Sequence, residues 1–266
     1  MSQNGQSTVP LNPEVQALEA LPQPVVAYRR DLADGETIPP HRHRRAQLVY
    51  ASEGVMTVTT DDGAFVVPPQ RAVWLPGGVE HRIDARGAVA MRTLYVGPDA
   101  APGLPRDVCV LHVTPLLREL LLAAVDLPQP FGRNSPEHRL MSVILDQIQA
   151  LPVAPLALPM PKDRRLRRLV RALMADPADG RSLDRWAPEA GASARTLARL
   201  FKRETGMTFR AWRQQLRLLR AMEMLAAGQS VTTVALDLGY DSPSAFSAMF
   251  RRTLGTTPKR YFAEAA

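Results

Sequence analysis

Two histidines one residue apart, His41 and His43 in GETIPPHRHRRAQLV, stand at the entrance to a stretch with strand character. Side chains at i and i+2 of a strand share a face, so such a pair can present two imidazoles to one ligand. Gln47 has the same parity, and a third histidine, His81, closes PGGVEH. Three imidazoles and a carboxamide form a polar effector pocket, with Tyr50 and Trp74 as its expected walls. The same His41, His43, Gln47 and His81 are a chemically competent set for a divalent metal, although no cofactor is required for the pocket to bind a small organic molecule. The spacing leaves three readings open: a metalloenzyme, a sensor with a ligand pocket, and histidines that only face solvent.

A second concentration of chemistry lies towards the other end of the chain. Arg195 and Arg199 are i and i+4 on an expected helix and share a face, and arginine gives the commonest two-bond contact to guanine. An enzyme reading, a metal-dependent dioxygenase or isomerase with a basic helical tail, needs an occupied metal with an open position and a substrate base. The strand region offers no other acid–base constellation, so no catalytic residue is assigned and catalysis is not expected. A metal-binding module with a basic tail is the remaining alternative.

The elements that must position these residues are legible as pattern. Of the 266 residues, 45% are hydrophobic and 22% charged, a globular composition with room for two domains. No apolar run is long enough for a transmembrane helix and the N-terminus lacks a signal-peptide pattern, so a cytoplasmic protein without a membrane partner is expected. The single cysteine, Cys109, reads as a core thiol. Residues 162–266 hold 20 Lys+Arg against 10 Asp+Glu, leaving 13 against 16 for residues 1–161. The formal net charge of +7 therefore belongs to the C-terminal part, which points to nucleic acid.

Short strands broken by turns run from VVAYRR to VCVLHV and predict a sandwich or barrel. Two helices follow, opened by Thr114–Pro115 and Ser135–Pro136, whose apolar stripes pack on the sheet or form a dimer surface. LPVAPLALPMPK, with four prolines, reads as an extended tether. Beyond it the pattern is helical and repeats at an offset of 49: Ser193 with Ser242, Phe201 with Phe250, Gly206 with Gly255. Each copy is a helix ended by a glycine, a short turn and a serine-capped second helix, which is a helix-turn-helix. Pro188 falls inside the first helix of the first copy and predicts that it is short or kinked. One helix of about 19 residues from Thr208, roughly 28 Å long, spaces the copies to reach successive major grooves of B-DNA.

SARTLARLFKRETGMTF and VALDLGYDSPSAFSAMFRRTLGTTPKRYF resemble the DNA-binding domain of the AraC/XylS family of bacterial transcription regulators. Upstream, Gly35, His41, His43, Gln47 and Gly54 match the first cupin motif position by position, and Pro76, Gly78 and His81 match part of the second. Gln47 replaces the family's glutamate and Ala85 its asparagine. The resemblance implies an α+β multidomain chain: a cupin-like β-barrel sensor at 1–113, linking helices at 114–151, a proline-rich linker at 152–161 and an all-α domain with two helix-turn-helix motifs at 162–266. It places base-facing positions at Arg195, Ala198 and Arg199 in the first recognition helix, and at Pro243, Ser244, Ser247 and Ala248 in the second. Because the second set is small, Ser242, Arg251 and Arg252 are expected to hold phosphates while the first helix reads bases. The implied function is sequence-specific regulation under a small-molecule effector, by analogy of a neighbouring transporter gene. The implied partners are double-stranded DNA, the effector, RNA polymerase and a second copy of the chain.

Overall fold

A computed structural model describes residues 12–68, 70–100, 102–149, 151, 153–154 and 157–263. They fall into two compact units, Met1–Thr60 with Val67–Pro155 and Asp61–Val66 with Leu156–Ala266. In chain order the first unit carries α1 (Pro13–Glu19), β1 (Val25–Leu32), β2 (Thr37–His41) and β3 (Ala46–Thr60). After β4 (Gly63–Val67), most of which belongs to the second unit, it continues with β5 (Arg71–Leu75), β6 (His81–Val96), β7 (Cys109–His112), α2 (Pro115–Ala124), α3 (Pro136–Gln149) and β8 (Val153–Ala154). Its strands lie in the order β1-β6-β3-β5-β7-β8, with β2 also on β6, and all these pairings are antiparallel.

Two pairs of expected short strands are each a single long one. AQLVYAS and VMTVTT join in the 15-residue β3, and the segment from His81 joins VAMRTLYV in the 16-residue β6. The reason lies at Gly54, which has φ +76° and where an added Cβ would sit 2.2 Å from the Ala88 carbonyl oxygen. The glycine admits the partner strand and a register shift between Ala51 and Val55, so the chain bulges instead of turning.

Strand parity then divides the sheet into two faces. Leu48, Tyr50, Ala72, Trp74, Leu94 and Val96 point to one, where Leu117 and Leu121 of α2 and Met141, Ile144 and Ile148 of α3 cover them in one buried cluster. The helices are opened as their sequences require: the Leu117 N–H donates to Thr114 Oγ1 (3.2 Å) and the His138 N–H to Ser135 Oγ (3.2 Å). Leu116 and Val143 stay exposed, at 55% and 43%. Cys109 is half-buried, and burial pushes its thiol up to about 11, away from reactivity.

The second unit begins with β9 (Ala157–Pro159), which pairs antiparallel with β4 through Gly63↔Pro159, Ala64↔Leu158 and Phe65↔Ala157. Extended proline-rich backbone is competent for short edge strands, and β8 and β9 both form within the expected tether at 152–161. Segment 61–66, expected within the sensor at 1–113, is grouped with this unit for the same reason. Then come α4 (Arg164–Ala175), α5 (Leu183–Ala190), α6 (Ala194–Thr205), α7 (Phe209–Ala226), α8 (Val231–Asp237), α9 (Pro243–Leu254) and α10 (Pro258–Ala263). Trp212 of α7 is buried against Phe201, with ring centroids 5.7 Å apart, and its indole N–H donates to the Pro159 carbonyl (2.8 Å). Phe246, Phe250 and Tyr261 form the matching aromatic core of the second copy.

Candidate functional site

The three histidines meet because the sheet register brings them together. His41 of β2 is paired with His81 of β6, and their ring centroids are 4.3 Å apart. His43 follows at 4.8 Å from His41 and 5.4 Å from His81. Gln47, at the start of β3, is opposite Tyr95 of β6, so Gln47, Thr93 and Tyr95 continue the same face. His41, His43 and Gln47 line a cavity of about 280 Å³ together with Tyr28, Arg30, Met91 and Tyr95 and the aliphatic Val15, Ile38 and Ile83. α1 contributes Val15, and the segment that follows it is held by Arg45, whose guanidinium donates to backbone carbonyls of Leu21 and Gln23 (2.8 Å to Gln23).

Burial is the main force on the imidazoles. It lowers His41, and with the neighbouring rings it takes His43 down to about 3 and His81 to about 4, so all three are neutral at pH 7. His41 Nδ1 is 2.7 Å from the Pro39 carbonyl and His81 Nδ1 3.0 Å from the Val79 carbonyl. A carbonyl only accepts, so these contacts assign the proton to Nδ1 and leave a lone pair on Nε2 of each ring. Among the described residues, His81 Nε2, both ring nitrogens of His43 and Gln47 Oε1 are buried without a hydrogen-bond partner. The Gln47 amide N–H groups are engaged, with Thr93 Oγ1 at 3.0 Å and Tyr95 OH at 3.4 Å. The candidate ligand atoms of the three histidines all lie within 4.8 Å of one another. An occupant must therefore satisfy a cluster rich in acceptors, either by donating hydrogen bonds or as an electron-pair acceptor.

Tyr50 and Trp74 are not in this pocket, which corrects their expected place as its walls. Tyr50 is three residues from Gln47 and so points to the opposite face. Trp74 is paired with Leu48, which shares Tyr50's parity. Both lie in the helix-covered core, where the Trp74 indole N–H donates to the Pro105 carbonyl (2.8 Å). The residues that do line the cavity, Tyr28, Arg30, Met91 and Tyr95, were not visible as a group because their meeting depends on register between strands far apart in the chain. The alternation Met91, Thr93, Tyr95 was the available signal.

In the second unit the two copies are built alike. Ser193 caps α6 by accepting from the Thr196 N–H (3.2 Å), and Ser242 caps α9 by accepting from the Ala245 N–H (3.2 Å). Each capped helix has 12 residues and ends at a left-handed glycine, Gly206 or Gly255. The preceding helix of each copy is followed by Gly191 or Gly239, again at positive φ. α5 has only eight residues and contains Pro188. α7 is 18 residues, which makes it about 27 Å long.

On α6, Leu197, Leu200 and Phe201 are buried while Arg195, Ala198 and Arg199 are exposed. On α9, Phe246, Met249 and Phe250 are buried, Ser244, Ala248, Arg251 and Arg252 exposed, and Ser242, Pro243 and Ser247 half-buried. Neither Arg195 nor Arg199 has an ion pair or hydrogen bond to another described residue, Asp184 of α5 included.

Comparison with known proteins covers both units. The description AraC-like ligand binding domain matches residues 23–198, and Helix-turn-helix domain matches residues 186–264. The chain is 39% identical over 230 residues to the HTH-type transcriptional regulator NimR of Escherichia coli, spanning 86% of this chain and 84% of that protein. It is 38% identical over 220 residues to the HTH-type transcriptional regulator RipA of Corynebacterium glutamicum, spanning 81% of this chain and 61% of that one. The bifunctional transcriptional activator/DNA repair enzyme Ada of Escherichia coli is 41% identical over 80 residues, only 23% of its length, too small a share to carry its second activity across.

Proposed function

Because this chain belongs to the AraC family of helix-turn-helix transcriptional regulators with a ligand-binding domain, we propose that occupancy of the histidine pocket sets the affinity of the second unit for its operator. The observation that carries the reading is the duplicated, serine-capped helix pair, whose first recognition helix exposes two arginines with no partner among the described residues. Arg195 and Arg199, with Ala198 between them, read base edges. Pro243, Ser244, Ser247 and Ala248 offer little code, so α9 positions the protein with Ser242, Arg251 and Arg252 towards phosphates. The effector is a compact, partly apolar molecule that donates hydrogen bonds to neutral imidazoles and to Gln47 Oε1, seated against His41, His43 and Gln47, with His81 packed beside the two histidines and not among the lining residues.

The chain acts without catalysis, in the cytoplasm where its DNA is, and with RNA polymerase as the downstream partner. Among the described residues no helix is long and apolar enough to cross a membrane. The exposed Leu116 and Val143 of the linking helices support a homodimer through the first unit. The test is footprinting of the intergenic region beside its own gene, with the wild type and with His41, His43 and His81 all replaced by alanine. Protection by both proteins, with an effector response only in the wild type, is expected; no protection at moderate salt overturns the regulator reading, and an unchanged response overturns the pocket.

A second reading of the pocket has its own observation. Two imidazoles have Nδ1 turned to a carbonyl and Nε2 left free, the arrangement in which histidine ligates a metal. His41, His43 and His81 fit a divalent transition metal, with Gln47 Oε1 as a neutral fourth ligand; bound there, the metal would supply a Lewis-acidic anchor for an effector. Metal content of the protein purified without chelator, followed by chelation and titration, decides it: a wild type that binds no better than the triple alanine variant ends this reading.

A further inference from the structure

The first unit carries a second and larger cavity, of about 1030 Å³, beside the histidine pocket. It lies between the connection from α1 to β1, the turn from β2 to β3, the end of β6 and the connection from α2 to α3. Two buried side chains tie these segments together. The Arg45 guanidinium donates to the Gln23 carbonyl (2.8 Å), and the Gln23 side-chain amide donates to the Phe131 carbonyl (3.2 Å). The walls are therefore set before any ligand arrives. The charged side chains around the cavity are of both signs, yet they are not paired with one another. Arg44, Arg133 and Asp99 are exposed, and none of the three has an ion pair or a side-chain hydrogen bond among the described residues. Glu19 is half-buried: its carboxylate accepts the Arg45 backbone N–H (3.2 Å) and lies 3.9 Å from His43 Nδ1, without an ion pair to a guanidinium. Leu21 and Phe131 add apolar surface. A simple anion would match the arginines and leave the carboxylates opposed, a simple cation would do the reverse, and an uncharged sugar would match neither. A molecule with one charge of each sign satisfies both sets.

We propose that this cavity is a second small-molecule site, for a zwitterion that bears an ammonium and a carboxylate: a free amino acid or a short peptide. Arg44 and Arg133 hold the carboxylate, Glu19 and Asp99 hold the ammonium, and the ligand's side chain lies against Leu21 and Phe131. The volume admits either source. The two cavities share no lining residue, and Glu19, which reaches towards His43, is the side chain that stands between them. The inference does not rest on the effector reading of the histidine pocket, and each can fail without the other.

The test titrates the full chain calorimetrically with each proteinogenic amino acid and with dialanine and dileucine in turn, which separates the two sources. At least one probe should bind with a Kd at or below about 1 mM. Acetylating the amine of the best binder, or amidating its carboxylate, should each weaken binding by about tenfold. Arg133→Ala should weaken the uncapped ligand by about tenfold and leave its amide form nearly unaffected, whereas Asp99→Asn should weaken the uncapped ligand and spare the acetylated one. Both positions are exposed, so each variant should melt like the wild type, and the capped ligands test the idea with no variant at all. The protein with His41, His43 and His81 replaced by alanine should bind the probe with wild-type affinity. The proposal is overturned if no probe binds at or below about 1 mM, if either capped form binds as well as the uncapped ligand, or if either single variant leaves the affinity unchanged. It is likewise overturned if the triple alanine variant loses binding, which would place the ligand in the histidine pocket.

Discussion

Single residues divide here into those that chemistry selects and those that geometry selects. The histidines were legible because imidazoles at i and i+2 with a third at a motif position leave few other uses. Tyr50 and Trp74 were drawn to the pocket by type, yet parity with Gln47 sends them to the core, and the register that brings in Tyr95 is a property of paired strands. Trp74→Ala should therefore act as a core truncation, lowering stability by about 3 to 5 kcal/mol in denaturant unfolding. A Trp74→Ala chain that melts like the wild type but loses its effector would return the residue to the pocket. Gln47→Glu supplies the carboxylate that the cupin pattern has at this position and should raise divalent-metal affinity by about tenfold or more in calorimetric titration, since a charged ligand offsets the ion's charge where an amide does not. Equal affinities would show that Gln47 is no ligand. For the DNA face, Arg199→Ala should cost about 1 to 3 kcal/mol on the preferred operator and much less on one altered at the contacted base pair. The same loss on both would make Arg199 a phosphate contact.

At the level of elements, capping and turn chemistry carried the helical unit almost entirely. Serines three residues before the N–H that donates to them, left-handed glycines after twelve residues and the offset of 49 are signals in the sequence itself, and the helices they predict are the helices that form. Replacing Ser193 or Ser242 with alanine should each cost about 1 kcal/mol, seen as a lower unfolding midpoint with an unchanged denaturant slope. The strands were less legible. Ser-Glu-Gly at 52–54 has the composition of a turn, and only the close approach of the Ala88 carbonyl shows that Gly54 serves a bulge inside one long strand. Gly54→Ala would combine a left-handed φ with a Cβ 2.2 Å from that oxygen, so a loss of at least about 2 kcal/mol is expected. An alanine tolerated there without change would mean that the bulge relaxes freely.

For the whole molecule, the split of charge at residue 162 anticipated a nucleic-acid-binding module attached to something else, and the comparisons match a ligand-binding description at residues 23–198 and a helix-turn-helix description at 186–264. Assembly was less readable, because α2 and α3 bury one apolar stripe in the sheet and the sequence does not say which leucines remain outside. Leu116→Glu with Val143→Glu should shift the full chain from dimer to monomer in light scattering without changing its melting temperature. A wild type that is monomeric at tens of micromolar removes the proposed interface.

The chain does not pass from one unit to the other only once. Strand β9 and the Asp61–Val66 segment it pairs with are both part of the helical unit, and the Pro159 carbonyl is the acceptor for Trp212. Leu158 and Phe65, buried at 1% and 4% exposure, sit in that small ladder. The proline-rich stretch looks like the natural place to exchange halves between relatives, but a chimaera joined at residue 162 would set Trp212 against a main-chain carbonyl of the other parent and leave β4 and β9, which belong to the helical unit, behind with that parent. Recombination that respects this fold needs three seams, one on each side of the 61–66 segment and one at residue 156.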